Sequence, residues 1–265
     1  YEIVFGDWSS DVCSSDLLKW FYFSDVVANP RDYQVQEGAR LYAERGCDVV
    51  MALGGGSPMD AAKGVALVAS NGGNVHHYEG ANRIQRPLPP MVFIPSTGGS
   101  GSDVSQFTII NDVRRQVKMS IISRTLVPNI SIIDPILLTT KSRSLIIAAA
   151  IDAMAHAVES YVSLLASPFT EMHSLKAVEL IVRHLPRAAE TRSIDALENL
   201  CIASTSAGMA FSNASLGMDH ALAHSLGGVL DVVHGLIHPV LLPHVMRYNL
   251  PRSEEHTSEL QSPNT

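Results

Sequence analysis

Cysteine, charge and long apolar runs are scarce in this sequence, and each scarcity argues against a class of protein. The three cysteines, Cys13, Cys47 and Cys201, lie far apart and form no Cys-x-x-Cys pair. This spacing argues against a disulfide framework or a thiolate zinc site, and it suits the reducing cytoplasm. No run reaches the roughly 18 apolar residues of a membrane span, so no membrane partner is predicted. The start also lacks the basic-then-apolar pattern of a secretory signal.

Charged residues make up only 17% of the chain, and the formal net charge is −7. A protein that binds nucleic acid is expected to carry a basic surface, so no nucleic-acid partner is predicted. Hydrophobic residues make up 46% of the 265 residues. This length and composition indicate a globular protein with a substantial core, organised as one large or two ordinary domains.

The two ends of the chain are related to each other through their DNA. Residues 4–17 can be translated back into a DNA sequence. The reverse complement of this DNA, read in another frame, encodes residues 252–265. The DNA also resembles a common sequencing adapter. We therefore interpret residues 1–17 and 252–265 as artefactual tails around an internal gene fragment, in preference to two polar, disordered tails. We expect both tails to pack poorly and to take no part in any site.

Between the tails, the first half of the chain alternates short apolar runs with helical patterns. Residues 48–53, 91–94 and 130–133 are predicted strands, and residues 34–45 and 58–70 are predicted helices. Strands that alternate with helices indicate a parallel α/β sheet.

From about residue 139 onward, the β-rich runs disappear and apolar residues recur at helical spacing. The predicted helices in this half are residues 144–165, 170–185, 194–212 and 218–226. The predicted fold is therefore α/β followed by all-α, with one domain at residues 18–139 and a second at residues 140–251.

A glycine-rich turn follows the first predicted strand. Gly54, Gly55, Gly56 and Ser57 lie between this strand and a helix start, where backbone N–H groups can approach a phosphate and the helix N-terminus adds positive potential. Ser57 could donate its hydroxyl, and Asp60 could cap the helix or face a ribose. The turn matches neither the G-x-G-x-x-G pattern nor a P-loop, so a purely structural role stays open.

A second polar turn, PSTGGSGS at residues 95–102, follows the next predicted strand. Turns at the carboxyl ends of neighbouring parallel strands line one crevice, which is where open α/β sheets bind nucleotides. The two turns together therefore predict a dinucleotide site. Lys118 could reach this crevice as a cation, or it could be an ordinary solvated lysine.

Histidines are concentrated in the helical half at spacings that place pairs on one helix face. Asp152 and His156 are four residues apart, and so are His220 and His224; His234, His238 and His244 follow. A single histidine is more often a core or surface residue, but buried ionisable groups need partners, and a divalent cation would satisfy several at once. One carboxylate with imidazoles and no thiolate suits Fe(II), Zn(II) or Mn(II), and the spacing does not choose among them.

Five motifs together resemble the iron-containing (group III) alcohol dehydrogenases. They are GGGSPMDAAK, PSTGGSGSD, AIDAMAHAVESY, HALAHSLGG and HGLIHPVLLPHVMRYN. The resemblance extends over residues 25–251, and the combination is specific, although glycerol dehydrogenases and dehydroquinate synthases share the glycine motif.

The resemblance implies a partial NAD(P)-binding domain at residues 18–139 and a partial helical metal-binding domain at residues 140–251, with the active site between them. It places the metal ligands at Asp152, His156, His220 and His234, and it places His224 near the nicotinamide and substrate. The cofactor contacts that it implies are Gly55, Gly56, Ser57, Asp60, Thr97, Ser105, Phe107, Lys118 and Leu138.

The implied reaction is reversible hydride transfer between a primary alcohol, or its aldehyde, and NAD, with NADP as a possible substitute. The metal, Fe(II) or alternatively Zn(II), would act as a Lewis acid that lowers the pKa of the alcohol. His224 would either relay the proton or orient the site. The intact parent protein is expected to be a cytoplasmic homo-oligomer.

The sequence departs from the family in three places. Asp219 stands where family members usually have glycine, and the family's first strand and last helices would lie upstream of Leu18 and beyond Pro251. Two alternatives therefore stay open. One is a zinc-dependent relative, either a polyol dehydrogenase or a dehydroquinate-synthase-like lyase, and the other is an incomplete, inactive fragment.

Overall fold

The computed structural model describes residues 2–7, 19–232 and 234–260. The strands are β1 (Glu2–Asp7), β2 (Lys19–Phe23), β3 (Val49–Gly54), β4 (Gly80–Ala81), β5 (Met91–Pro95), β6 (Phe107–Asp112), β7 (Val117–Ile122) and β8 (Ile130–Ser131). The α-helices are α1 (Asp32–Glu44), α2 (Gly56–Asn71), α3 (Arg143–Tyr161), α4 (Pro168–Thr191), α5 (Ile194–Ala214), α6 (Met218–Leu230) and α7 (His238–Leu260). None of these helices is both long enough and apolar enough to cross a membrane.

The larger sheet has the strand order β2-β1-β3-β5-β8, and β3, β5 and β8 run parallel. β3 is an almost continuous apolar run, VVMALG, as expected for a strand that is covered on both faces. Helix α2 packs directly against β3 and α1 packs against α2, and their buried alanine and valine side chains join those of the sheet in one core. The predicted parallel α/β sheet followed by a helical half is confirmed.

Residues 1–17 were expected to pack poorly and to take no part in any site, and the backbone of strand β1, which lies in this range, pairs with the sheet. Strand β1 lies antiparallel between β2 and β3, with Val4 opposite Met51 and Tyr22. The edge of β3 would otherwise carry unpaired backbone groups, and such an edge accepts an extended segment of almost any sequence. Trp8 lies outside the described residues. The adapter interpretation stays a prediction.

A second sheet, of order β4-β7-β6, was missed by the sequence analysis. Its β6–β7 hairpin packs against α2, and the contact is fixed by Lys63, whose side chain is fully buried. Lys63 Nζ donates to the carbonyl oxygens of Ser105 and Phe107 at 2.7 and 2.8 Å. Burial lowers the pKa of Lys63 to about 8. The hairpin places Phe107 and Lys118 beside the two glycine turns.

The helical half packs through small side chains. Ala150, Ala153 and Ala157 of α3 lie in a core shared with α4 and α5. Helix α4 was predicted to end at Leu185, but it continues through Pro186 to Thr191. The carbonyl that proline leaves without a donor belongs to Val182, whose side chain is exposed, so solvent can satisfy it.

Two glycines of the second turn allow close contact between the sheet half and the helical half. A Cβ atom on Gly99 would lie 2.6 Å from the carbonyl oxygen of Ala149 in α3. Gly101 has a φ of 58°, and a Cβ there would lie 2.7 Å from the Cα of Gly208 in α5. Only glycine fits at both positions, because any side chain would push the two halves apart.

Candidate active site

A cavity of about 410 Å³ lies between the sheet half and the helical half. The two glycine turns and the β6–β7 hairpin form one side, and α3, α6 and the short 3-10 helix His234–Leu236 form the other. Of the predicted cofactor contacts, eight line this cavity: Gly55, Gly56, Ser57, Asp60, Thr97, Ser105, Phe107 and Lys118.

The first glycine turn lies directly against the second. A Cβ atom on Gly56 would be 2.9 Å from Ser100 Cβ, and one on Gly55 would be 3.1 Å from Thr97 Oγ1. The turn thus exposes backbone at the N-terminus of α2, where a phosphate group is favoured. Ser57 Oγ accepts a hydrogen bond from the backbone N–H of Asn29.

Asp60 ties the first turn to its neighbours. Ser102 Oγ donates to Asp60 Oδ1 at 2.6 Å, and the backbone N–H of Ile109 donates to Asp60 Oδ2 at 3.2 Å. Burial raises the pKa of Asp60 to about 6, with Lys63 acting in the opposite direction. Both carboxylate oxygens of Asp60 therefore have hydrogen-bond partners within the protein. Asp60 fixes the shape of the cavity wall and also lines the cavity.

Lys118 is not an ordinary solvated lysine. Its Nζ donates to Asn29 Oδ1 at 2.8 Å, and burial lowers its pKa. Asn29 Nδ2 donates in turn to Asp231, at the C-terminal end of α6, at 2.9 Å. Lys118 therefore provides a positive charge on the cavity wall, held in place from both halves.

Leu138 differs from the other predicted cofactor contacts because it does not line this cavity. It is buried in the helical core, and it faces a small neighbouring cavity together with Thr97 and Gly98. A Cβ atom on Gly98 would lie 3.3 Å from Leu138 Cδ2. Leu138 supports the second turn from behind, and its assignment as a cofactor contact stays a prediction.

The predicted metal ligands surround one carboxylate oxygen. Asp152 Oδ1 lies 3.9 Å from His156 Nε2, 3.8 Å from His220 Nε2 and 3.7 Å from His234 Nε2. Asp152 Oδ1 and His220 Nε2 are buried, and neither has a hydrogen-bond partner among the described residues. Unpaired buried polar atoms are costly, and a divalent cation bound by one carboxylate and imidazoles would satisfy them. These residues therefore fit a metal ion.

His220 is oriented by Glu159, which the sequence analysis missed. Glu159 Oε2 accepts a hydrogen bond from His220 Nδ1 at 2.7 Å, so His220 Nε2 is left to face Asp152. Glu159 Oε1 also accepts from the backbone N–H of Asp219 at 2.6 Å. Glu159 lies two helical turns after Asp152 on α3, and this spacing of seven residues could have identified it.

The protonation states around Asp152 are mixed. Burial alone would raise the pKa of Asp152, but His156, His220 and His238 hold it well below its usual value. Burial lowers the pKa of His156 to about 3. Burial alone would also lower the pKa of His220 and His238. Hydrogen bonds to Asp152 and Glu159 outweigh burial and raise the pKa of His220, and those to Asp152 and Asp219 raise the pKa of His238 to about 9. A carboxylate and neutral imidazoles are the forms that bind a cation, so binding of a cation would release protons from His220 and His238.

His238 also belongs to this cluster, and it was not among the predicted ligands. The ligand atoms of Asp152, His220, His234 and His238 all lie within 4.8 Å of one another. A four-residue spacing from His234 could have indicated His238. Gly235 lets this segment approach α3, because a Cβ there would lie 2.8 Å from the carbonyl oxygen of Ala148.

His224 lines the cavity one turn after His220 on α6. Its ring centroid is 6.1 Å from that of His220 and 5.1 Å from that of His234. Burial, followed by the effects of His220 and Lys118, lowers the pKa of His224 to about 3. At neutral pH this residue is therefore an uncharged imidazole beside the cluster.

Sequence comparison matches both halves to one family. The profile described as iron-containing alcohol dehydrogenase matches residues 9–135, and the C-terminal profile of the Fe-containing alcohol dehydrogenase family matches residues 146–262. The chain belongs to the iron-containing alcohol dehydrogenase family. The fold is similar to that of a solved iron-containing alcohol dehydrogenase, which is 31% identical with a TM-score of 0.79, covering 85% of this chain and 61% of that one.

Three relatives illustrate the similarity. A 1,3-propanediol dehydrogenase of Citrobacter freundii is 40% identical over 239 residues, which are 90% of this chain and 62% of the relative. An NAD-dependent methanol dehydrogenase of Bacillus methanolicus is 39% identical over 246 residues, which are 91% of this chain and 65% of the relative. A crystallised alcohol dehydrogenase from Oenococcus oeni is 33% identical with a TM-score of 0.86, covering 90% of this chain and 62% of that one. The chain thus spans about three fifths of the length of these relatives.

Proposed function

We propose that the intact parent of this chain is a metal-dependent oxidoreductase that transfers a hydride between a primary alcohol, or its aldehyde, and NAD(P). One observation carries the proposal. The same cavity has two glycine turns at strand ends on one side and, on the other, Asp152 Oδ1 surrounded by histidine Nε2 atoms.

The residues of the sheet side would bind the cofactor. Gly55 and Gly56 present backbone N–H groups at the start of α2, which favour a pyrophosphate. Lys118 supplies a positive charge, and Phe107 offers an aromatic face beside the metal cluster. Phe107 and Lys118 of the β6–β7 hairpin and His224 of α6 line the same cavity and would hold the nicotinamide end of the cofactor.

The residues of the helical side would hold the metal and the substrate. Asp152, His156, His220 and His234 are the proposed ligands. A divalent cation there would supply Lewis-acid polarisation of an alcohol or carbonyl oxygen. The alcohol gives a hydride to the nicotinamide and a proton to solvent, and it becomes an aldehyde. His224, uncharged at neutral pH, would contact the substrate or nicotinamide.

The resident metal is proposed to be Fe(II), with Zn(II) as the alternative. The donor set of carboxylate and imidazole suits both ions, and the family description favours iron. NAD is proposed over NADP because the methanol dehydrogenase relative is named as NAD-dependent. The relatives act by name on 1,3-propanediol and methanol, so we propose a short alcohol as the substrate here.

The intact parent is also proposed to be a cytoplasmic homo-oligomer. Leu164 lies shortly before α4 and is 98% exposed, and Phe169 lies in the first turn of α4 and is 78% exposed. Exposed apolar side chains that lie near each other favour a protein interface. Cys201 is buried and forms no disulfide with any cysteine in the described part of the chain, which suits a reducing compartment. We propose no nucleic-acid or membrane partner.

The proposal is tested by loading the protein with Fe(II) without oxygen and following nicotinamide absorbance with NAD and 1,3-propanediol. We expect NADH to form only when alcohol and metal are both present, and a chelator to abolish its formation. The same assay on the full-length parent, cloned from its source DNA, separates the alternatives. A parent that consumes no alcohol would contradict the proposal, whereas an active parent with an inactive chain would identify this chain as an incomplete fragment.

A further inference from the structure

His238 lies closer to Asp152 than any of the three predicted histidine ligands does. Its Nε2 atom is 3.1 Å from Asp152 Oδ1, whereas the corresponding distances for His156, His220 and His234 are 3.9, 3.8 and 3.7 Å. The His238 side chain is fully buried at the start of α7, so it faces the cluster and not solvent.

Asp219 fixes the orientation of His238. Asp219 Oδ2 accepts a hydrogen bond from His238 Nδ1 at 2.5 Å, and both side chains are fully buried. Because Asp219 holds Nδ1 of His238, Nε2 is the nitrogen that faces Asp152 and could bind a cation in exchange for its proton. Glu159 orients His220 in the same way. A carboxylate that holds the far nitrogen of an imidazole is the usual support of a metal-bound histidine.

His156 lacks a support of this kind. Its Nδ1 atom is buried and has no hydrogen-bond partner within the described ranges. Its ring stacks on Phe211, with the centroids 4.3 Å apart. Of the histidines around Asp152, His220 and His238 are therefore the two held by a carboxylate.

The contact between His234 and His238 also points to a cation. Their Nε2 atoms are 3.2 Å apart, and both lie within 4 Å of Asp152 Oδ1. The Nδ1 atom of His234 has no partner in the described part of the chain. A single ion with bonds near 2 Å would place several donors at such mutual distances.

We infer that His238 is a metal ligand in this chain and that Asp219 is the residue that positions it. The inference rests on the proposed metal-dependent function and adds a donor to it. His238 joins Asp152, His220 and His234, whose ligand atoms lie within 4.8 Å of one another, and His156 Nε2, 3.9 Å from Asp152 Oδ1, would be a fifth donor. A donor set of this size favours six-coordinate Fe(II) over Zn(II), which is usually four-coordinate.

The test measures metal binding instead of activity. The full chain is loaded with Fe(II) without oxygen, metal affinity is measured by competition with a chelator, and imidazole ligands are counted by X-ray absorption at the iron edge. The variants are Asp219→Asn, His238→Asn and the double variant Asp219→Ala/His238→Asn, which leaves no buried carboxylate without a partner. His244→Ala is the matched control, because His244 is an exposed histidine on the same helix.

We expect four imidazoles in the unaltered chain and three in His238→Asn. Asp219→Asn should weaken metal binding by about 10- to 100-fold, and His238→Asn should weaken it further, while His244→Ala leaves it unchanged. If a single variant does not fold, the double variant decides the question. Three imidazoles in the unaltered chain, or unchanged metal affinity in the double variant, would overturn the inference about His238 but not the proposed function. An unaltered chain that binds no metal would overturn the proposed function as well.

Discussion

At the scale of single residues, spacing indicated which side chains share a helix face but not which of them turn towards the cluster. His220 and His224 are one turn apart on α6, yet Glu159 holds only His220. His238 was missed because its support, Asp219, lies on another helix. Such pairings depend on how helices pack, and a linear sequence carries them only as weak patterns.

His224→Ala and His234→Ala should have different effects. His234→Ala removes a proposed ligand and should lose metal and activity together. His224→Ala should retain the metal and slow turnover by less than the roughly 10²-fold expected for a proton relay. The pKa of His224 is about 3, so its charge does not change between about pH 5 and 9, and the pH profile of kcat should keep its shape. Metal content and kcat as a function of pH provide the measurements.

The opposite pattern would be equally clear. Metal loss in His224→Ala with metal retained in His234→Ala would show that the two histidines had been assigned the wrong way round. A slower rate by about 10²-fold or more, together with a lost limb of the pH profile, would identify His224 as a proton relay.

At the scale of elements, the strand-turn-helix unit around β3 and α2 was predicted within a few residues. Apolar runs, glycine punctuation and helical spacing all agree there. The β6–β7 hairpin was missed although its strands are as long as β3, because polar residues interrupt both strands and a buried contact from Lys63 of α2 holds the hairpin in place. Strand β1 was not predicted because residues 1–17 were interpreted as an artefactual tail, although the run EIVFGD contains three strong β-forming residues in succession.

The glycine turn gives a prediction at this scale. In Gly56→Ala a Cβ atom would lie 2.9 Å from Ser100 Cβ, so Ser100→Gly should relieve that collision in the double variant. The added methyl group would still block the approach of a pyrophosphate to the backbone. We therefore expect Gly56→Val and the double variant to raise the KM for NAD by about tenfold or more, equivalent to ~1.4 kcal/mol, with metal content unchanged.

Ser100→Gly alone is the control for this series, and it should bind NAD almost normally. Full recovery of NAD affinity in Gly56→Ala/Ser100→Gly would mean that Gly56 serves only the contact between the two turns. The cofactor would then bind elsewhere in the cavity.

At the scale of the whole molecule, the order of a sheet half and a helical half was readable from the change in periodicity near residue 139. The packing of the two halves against each other could not be predicted from the sequence, because it depends on close contacts such as the one between Gly99 and Ala149. The chain spans about three fifths of its relatives' length. The proposed activity, and the proposed interface at the exposed apolar residues around the start of α4, therefore refer to the intact parent.

The central claim is that one metal ion binds beside the nucleotide cavity at Asp152. Crystals grown with Fe(II) in the absence of oxygen, with diffraction recorded on both sides of the iron absorption edge, test it directly. We predict one anomalous peak about 2 Å from Asp152 Oδ1 and from the Nε2 atoms of His220 and His234. A crystal without that peak, or with its iron at the Asp32, His76 and Asp112 group instead, would contradict the account.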